Sequence, residues 1–481
     1  MQNPERIEQT LRLAGPLSAR EICERLDISQ ATFSRGWRAS KRLLKIGAGR
    51  SSRYACLRNI RDQGSQWVLF QVQQTVIPHT LANTLGLGTL YAVWPEKMVF
   101  QPVRVADDVS KVAPSWMMEG VEDGVFPGIP WFLDELVPQG FLGRNFAENR
   151  AQDLGIGPDP GRWGFEERVR ATLDYGADVP GAFLLGIGAV TDAYDVSDQN
   201  TVDDVALPDK ELIQSYEQRS RAVLAGEAPG SSAGGEQQKF SAVRDLGDAR
   251  YQRVLVKFSG PISTAVGRRW ADLLEAESIA LALLNRHGIP AAPCRILSGE
   301  NRVFLESMRF DRIGVRGRRG MISLRPLLAA FDGGLDESWA AVAPRLATMG
   351  WISAEAAALM QRAHWFGVLI GNTDMHYGNV SVFLTEERPF ELCPLYDMLP
   401  MRYRPSSTGD LPDGGLEAAG RPRLLPGPLD VKPWSEMSQL AREFWREVAA
   451  CDSISAGFRE IASLNEQYIQ TLRTQIIKGE V

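Results

Sequence analysis

The stretch from Leu369 to Asn379, L-I-G-N-T-D-M-H-Y-G-N, constrains this chain more than any other. An apolar run with helical spacing (Trp365, Phe366, Val368, Leu369, Ile370) ends in a polar loop that sets Asp374 five residues before Asn379. Then come Val380, Val382, Phe383 and Leu384, a polar turn at Glu386 to Pro389, and a short run ending Leu395-Tyr396-Asp397. Helix, loop and hairpin in that order bring three oxygen-bearing side chains together. Two carboxylates and an amide oxygen suit Mg²⁺, which takes one or two protein carboxylates plus substrate phosphates. Asn372, Thr373 and Asp374 read equally well, one by one, as an ordinary polar loop cap. The three ligands taken together favour chemistry.

At 481 residues the chain is too long for one core, and its length suggests about three domains. With 44% hydrophobic and 23% charged residues it is ordinary soluble material. No run of about eighteen apolar residues exists, so no membrane span is expected. The start, M-Q-N-P-E-R, has no apolar core of a secretory signal. Cys23, Cys56, Cys294, Cys393 and Cys451 are scattered, odd in number and never in a C-x-x-C pair. They fit reduced thiols and a cytoplasmic protein, with no zinc site or disulfide framework. The net charge of −6 hides an asymmetry. Residues 1–60 hold twelve Lys and Arg against five Asp and Glu, a local +7 that leaves −13 for the remainder.

Within that basic segment Pro16-Leu17-Ser18 starts a helix with apolar spacing at Ile22 and Leu26. A turn at Asp27-Ile28-Ser29 follows, then a second helix from Gln30 to about Leu44 with Ser29 as its N-cap. A helix-turn-helix presents the start of its second helix to the major groove, here Gln30, Ala31, Thr32, Ser34 and Arg35. These polar side chains can bond base edges, while Arg38, Lys41 and Arg42 could meet phosphates. The segment Ile46 to Tyr54, with a Gly-containing turn and the basic residues Arg50 and Arg53, reads as a β-wing. The whole resembles a bacterial winged helix-turn-helix. A small helical domain for protein contacts, with a basic solvated face, is the competing reading.

From Gln66 to about Val103 the pattern is of short strands, at Val68 to Val72, Gly86 to Trp94 and Met98 to Phe100. Residues 166–176 and 210–224 read as helices, and Gly181 to Gly186 as a buried strand. The Ser/Gly-rich patch from Gly226 to Phe240 has two readings, a flexible linker or a loop whose glycines let backbone N–H groups approach phosphate. Strands at Phe240 to Val243 and Tyr251 to Phe258 follow, the second carrying Lys257. A strand lysine is usually a solvated edge residue. Here, though, Trp270 to His287 is an amphipathic helix carrying Glu275 and Glu277, and strand lysine before helix glutamate is the order of a kinase small lobe. Val303 to Met308 would be the strand and hinge, with Glu306 offering backbone groups to an adenine.

Beyond residue 320 the pattern turns helical: Leu324 to Phe331, Ser338 to Met349 with Pro344 as a kink, Ser353 to Leu369, Met437 to Ala450 and Ile461 to Ile477. Arg402 to Trp434, dense in Pro, Gly and Arg, reads as an exposed insertion or a linker without regular structure. Asp-x4-Asn followed by an Asp after a hairpin is also how a protein-kinase site divides its labour between a base and two metal-holding residues.

These residues resemble the HipA-type serine/threonine kinase toxins of bacterial toxin-antitoxin systems. The resemblance runs through Gly234-Gly235-Glu236-Gln237-Gln238-Lys239, Val256-Lys257-Phe258, Arg309-Phe310-Asp311-Arg312, Ile370 to His376 with Asn379, and Tyr396-Asp397. The fused N-terminal helix-turn-helix is similar to the HipH (YjjJ-like) branch. The resemblance implies an α+β chain: a winged helix-turn-helix at 1–60, a HipA N-terminal-type subdomain at 61–190, a kinase small lobe with the Gly-rich loop at 191–310 and a mostly helical large lobe at 311–481. It implies ATP and Mg²⁺ as cofactors, Asp374 as catalytic base, and Asn379 and Asp397 as the metal-holding pair. Lys257 would meet the ATP phosphates with Glu277 as its ion-pair partner, Glu275 being the weaker candidate. Gly234, Gly235, Gln237 and His376 would complete the nucleotide site. A serine ahead of the loop is autophosphorylated in the family, which falls on Ser232 or its neighbour Ser231.

The implied partners are a protein substrate, DNA through the N-terminal domain, a HipB-like antitoxin and a second copy of the chain. Ordinary HipA toxins rely on a separate DNA-binding antitoxin, whereas this chain carries its own helix-turn-helix, which raises self-regulation. Two other functions compete. One is a transcriptional regulator whose kinase-like domain only senses nucleotide. The other is a metal-dependent DNA-cleaving toxin using Asp374, His376 and Asp397.

Overall fold

The computed structural model describes residues 3–74, 84–103, 113–138, 140–175, 178–193, 209–225, 237–246, 251–314, 316–419, 424–427 and 430–477. The chain is mixed α+β and divides into two units: Met1–Gln73, Ile77–Gln139 and Arg150–Val196, and Gln74–Val76, Gly140–Asn149 and Ser197–Val481.

The first unit opens with α1 (Asn3–Ala14), β1 (Leu17–Ser18), α2 (Ala19–Leu26), α3 (Gln30–Ala39), β2 (Leu43–Ile46) and β3 (Arg53–Cys56). The strands form an antiparallel sheet ordered β1-β3-β2. Ser18 caps α2 with a full capping box to Glu21, and the Ser29 hydroxyl accepts the Thr32 N–H to cap α3. Ile7, Leu11, Ile22, Phe33, Leu43 and Tyr54 make the core. Two boundaries differ from the sequence reading. Helix α1 was not expected at all. Helix α3 stops at Ala39 rather than near Leu44, because Ser40 turns extended and bonds Glu8, releasing Leu43 and Leu44 to pair with Cys56 and Ala55.

The β2–β3 hairpin does not stand free. Strands β4 (Gln66–Val72), β5 (Thr84–Val93), β6 (Lys97–Pro102), β7 (Val125–Phe126) and β8 (Phe183–Leu185) form a sheet ordered β7-β6-β5-β4-β8. Leu57, just past β3, pairs with Val93. Ile46 and Ala55 bury against Val93 and Val99, and the Gln101 amide donates to the Lys45 carbonyl at 3.0 Å. The two sheets thus share apolar packing. The helix expected at 166–176 is α4 (Phe165–Tyr175).

In the second unit α5 (Asp209–Ala225) precedes β9 (Lys239–Asp245), β10 (Tyr251–Phe258), α6 (Ala265–Arg286), β11 (Cys294–Ser298) and β12 (Val303–Met308). The strands form an antiparallel sheet ordered β11-β12-β10-β9. Successive strand residues point to opposite faces. Val254, Val256, Phe258 and Phe304 pack with Leu212 and Tyr216 of α5, while Val303 and Leu305 pack with Ala271 and Leu274 of α6. That alternation sends Lys257 toward α6. A short hairpin, β13 (Arg312–Ile313) and β14 (Gly317–Arg318), follows.

The rest is largely helical: β15 (Met321–Ser323), α7 (Leu324–Phe331), α8 (Trp339–Thr348), α9 (Ala354–Leu369), β16 (Ser381–Phe383), α10 (Val431–Ala450) and α11 (Ala456–Ile477). Helix α8 carries Pro344 without splitting. Among its described residues the region from Arg402 to Trp434 holds only short helical turns before the helix that starts at Val431, and it is not simply an exposed insertion. Tyr403, Leu416, Leu424 and Trp434 are buried, the Asn465 side chain accepts the Leu416 N–H at 2.8 Å, and the Trp434 indole donates to the Leu424 carbonyl. Leucines and aromatics interspersed among the Pro and Gly pull the segment into the core. All five cysteines are free thiols. No helix among the described residues is long and apolar enough to cross a membrane.

Candidate functional site

Helix α9 ends where Gly371 adopts a left-handed φ of 76°, so the chain turns sharply out of the helix. The next residue, Asn372, is buried and works in two directions. Its amide nitrogen donates to the Asp397 carbonyl at 3.1 Å, and its side-chain oxygen accepts the Asp374 N–H at 3.0 Å. The loop-cap reading of Asn372 is therefore correct, and the cap also joins the two carboxylate-bearing segments. Asn379 donates its amide N–H to the Asp374 carbonyl at 2.9 Å, which leaves its side-chain oxygen for a ligand. Asp374 itself is 41% exposed.

Lys257 lies at the centre of the charges. Its ammonium donates to both Glu277 carboxylate oxygens, at 2.6 and 2.8 Å, and also to Asp397. Lys257 and Glu277 are 3% and 1% exposed, so these charges have left water and depend on each other. Burial opposes the Lys257 charge, but the Asp397 and Glu277 carboxylates outweigh it and raise the ammonium above the ordinary lysine range. Burial would push Asp397 up, yet the nearby Lys257 and Lys239 charges and the hydrogen bond from Lys257 hold it at about 2. Glu277 is pushed up by burial against the pull of Lys257. Asp397 adopts a left-handed φ of 54°, a conformation that aspartate takes more readily than most residues and that Asp27, Asp62 and Asp123 share.

The remaining candidates divide. Lys239, not singled out in the sequence, lies directly across from Lys257 in the β9–β10 pair and acts on Asp397 and Glu277 through its charge. Register counted back across the hairpin would have found it. Gln237 donates its amide to the Phe258 carbonyl, anchoring the chain as it enters β9. His376 is 60% exposed, its Nε2 3.9 Å from the Asp374 carboxylate, and its Nδ1 accepts the Gly378 N–H at 3.0 Å. Glu275 is not the partner of Lys257; burial raises its carboxyl in its own surroundings. Gly234, Gly235, Ser231 and Ser232 lie outside the described residues.

Glu306 does not fit the adenine role. It lies in the middle of the sheet, across from Val256 on one side and Arg295 on the other, so its backbone groups are occupied. Its side chain points to the α5 face, where it accepts from Tyr216 at 2.7 Å, Arg244 at 2.6 Å and Arg295 at 2.7 Å. The reason is the two-residue alternation, which puts Glu306 and Lys257 on opposite faces.

On the N-terminal face, Gln30, Arg35 and Arg38 are exposed on α3, while Thr32 and Ser34 are half-buried and the Thr32 N–H and hydroxyl engage Ser29. Arg53 does not project outward. It donates to the Pro16 carbonyl at 2.8 Å and faces Glu122 at 3.5 Å. Arg50 lies in the turn between β2 and β3.

The donor chemistry fits Mg²⁺, because an anionic carboxylate from Asp397 and a free amide oxygen from Asn379 are hard ligands and the nucleotide phosphates would supply others. Among the described residues no group of three or more His, Cys, Asp or Glu could hold a metal, so Asp374, His376 and Asp397 do not converge as a three-ligand centre.

Residues 49–194 match the YjjJ-like toxin, middle domain, and residues 231–452 match the HipA-like C-terminal domain. Toxin YjjJ of Escherichia coli strain K12 is 35% identical over 470 residues, spanning 97% of this chain and 98% of its own. This chain belongs to the YjjJ-like, HipA-type toxin family. The HipA-like match contains Lys257, Glu277, Asp374, Asn379 and Asp397, whereas α1 to α3 precede both matches. Among solved structures, a chain of the Shewanella oneidensis MR-1 HipA, HipB and operator DNA complex aligns over 85% of this chain and 96% of its own, at 15% identity and a TM-score of 0.47. The Helicobacter pylori proinflammatory kinase CtkA aligns over 51% and 93%, at 12% identity and a TM-score of 0.33.

Proposed function

We propose that the chain is a serine/threonine protein kinase that moves the ATP γ-phosphoryl to a protein hydroxyl, and that the small and large lobes of the site are 191–310 and 311–481. The observation that carries this reading is Lys257, buried between Glu277 and Asp397, with Asp397 tied through Asn372 to the loop of Asp374 and Asn379. In this arrangement Lys257 is oriented by Glu277 to meet the phosphates, and Lys239 adds a second positive charge beside them. Asp374, exposed and fixed by Asn372, accepts the proton of the acceptor hydroxyl as the oxygen attacks phosphorus. Asn379 and Asp397 would hold Mg²⁺, which when bound would neutralise charge on the phosphates. Catalysis is then chiefly positioning and charge stabilisation. Gln237 anchors the chain where it enters β9, and Ser232 or Ser231 is the autophosphorylation site; a phosphate there adds nearly two negative charges and would switch the kinase off.

The N-terminal segment 1–60 serves as a winged helix-turn-helix that reads DNA through α3. The exposed Gln30, Arg35 and Arg38 support this, while the Arg53 guanidinium is engaged by the Pro16 carbonyl within the same segment and faces Glu122. Duplex affinity falling steeply with salt is the expected signature. A cytoplasmic location, a HipB-like partner and a homodimer belong to the same reading. A DNA-cleaving toxin is disfavoured by the failure of Asp374, His376 and Asp397 to converge.

The test is phosphoryl transfer from labelled ATP by wild type and Asp374→Asn. The substitution should abolish transfer while ATP binding and the thermal midpoint stay close to wild type. Transfer retained in that variant removes Asp374 as the base.

A further inference from the structure

We infer that the Tyr396 hydroxyl is a positioning group for the divalent cation, acting as a strut that fixes Asn379 and Asp397 relative to each other. The inference rests on the kinase reading above and adds a residue that reading does not use. The hydroxyl donates to the Gly378 carbonyl at 2.8 Å. With its proton committed there, it accepts from the Ser381 hydroxyl at 2.6 Å, and Ser381 is buried on β16. Gly378 immediately precedes Asn379, and Tyr396 immediately precedes Asp397. The two metal-holding residues, eighteen positions apart in sequence, therefore hang from the two ends of one hydrogen bond.

The strut bears on Asp397, whose backbone sits at a left-handed φ of 54°. Its carboxylate is pulled by Lys257 and its carbonyl by Asn372. Asn372 links that carbonyl to the Asp374 end of the loop, and Tyr396 adds the direct link to the residue before Asn379. The ring is itself packed: Phe310 lies 5.7 Å away between centroids, and Phe310 meets Phe383 of β16 edge-on at 5.9 Å. A phenylalanine would keep that ring packing and remove the hydroxyl's bonds to Gly378 and Ser381.

The direct experiment measures Mn²⁺ binding to the full chain by the electron paramagnetic resonance of free Mn²⁺, with a non-hydrolysable ATP analogue present. Groups that orient metal ligands usually change affinity tenfold or more when removed. Tyr396→Phe should raise the Mn²⁺ dissociation constant about tenfold, with metal-free analogue binding unchanged and the chain still folded at the assay temperature despite a modest fall in thermal midpoint from the unpartnered Ser381 hydroxyl. Ser381→Ala, which removes one of the two bonds, should raise it by a smaller factor. Tyr377→Phe is the matched control, since the Tyr377 hydroxyl lies in the same loop but donates to the Glu337 carbonyl at 2.9 Å. It should leave the constant within about twofold of wild type. Wild-type affinity in Tyr396→Phe, or equal weakening in Tyr377→Phe, overturns the strut while leaving the kinase reading intact. No nucleotide-dependent Mn²⁺ uptake by wild type overturns both.

Discussion

The outer face of α3 and the cluster around Lys257 are both charged, and they are built on opposite principles. On α3, Gln30, Arg35 and Arg38 meet water, and helical periodicity alone sets their spacing. Around Lys257 the charges have been taken out of water, and each keeps its place because another holds it. An exposed face can therefore change one residue at a time, whereas a buried ion cluster should fail as a unit.

The largest expected effect comes from removing the central cation. Lys257→Met leaves the buried Glu277 and the part-exposed Asp397 with only Lys239 as a nearby positive charge, and should cost about 3 kcal/mol in denaturant unfolding as well as phosphoryl transfer. Adding Glu277→Leu should cost much less than the sum of the two single changes. Additive losses would mean that the charges are not coupled.

A buried titratable group without a partner gives a third case. The His364 ring Nδ1 finds no partner among the described residues, and burial holds its pKa at about 4. The folded value lies below the ordinary one, so the unfolded chain takes the proton first as pH falls. Stability is fully present above the ordinary imidazole range and should decline by on the order of 3 kcal/mol between about pH 6.5 and 4. His364→Phe should flatten that slope in unfolding measured against pH. Asp397, held at about 2, keeps its contribution across the same window and loses it only in stronger acid.

On the N-terminal side the effects shrink. Ser29→Ala removes the α3 cap and should cost about 1 kcal/mol in thermal unfolding. Arg35→Ala and Arg38→Ala should change stability by less than about 0.5 kcal/mol while weakening duplex binding, Arg38→Ala with a shallower salt slope. A large stability loss at Arg35 would erase the contrast with Lys257.

Much of this arrangement was legible in the sequence because period and spacing carry it. The strand with Lys257, the helix with Glu277 and the loop from Asp374 to Asn379 follow from apolar periodicity and residue order. What remained hidden depends on register and on contacts far apart in sequence. The alternation of β12 decided that Glu306 faces α5, and the β9–β10 pairing put Lys239 opposite Lys257. Helix α1 stays hidden because its apolar contacts, Ile7 and Leu11, are spread among polar residues, and the bond from Arg53 to the Pro16 carbonyl is invisible to a reading of charge.

The central claim, that Asp374 and the cluster behind it transfer phosphate, is tested most directly by phosphopeptide mapping of wild type and Asp374→Asn after incubation with Mg-ATP. The account predicts a phosphate on Ser232 or Ser231 in wild type and none in the variant. An unphosphorylated wild type, or equal labelling of the two proteins, would contradict it.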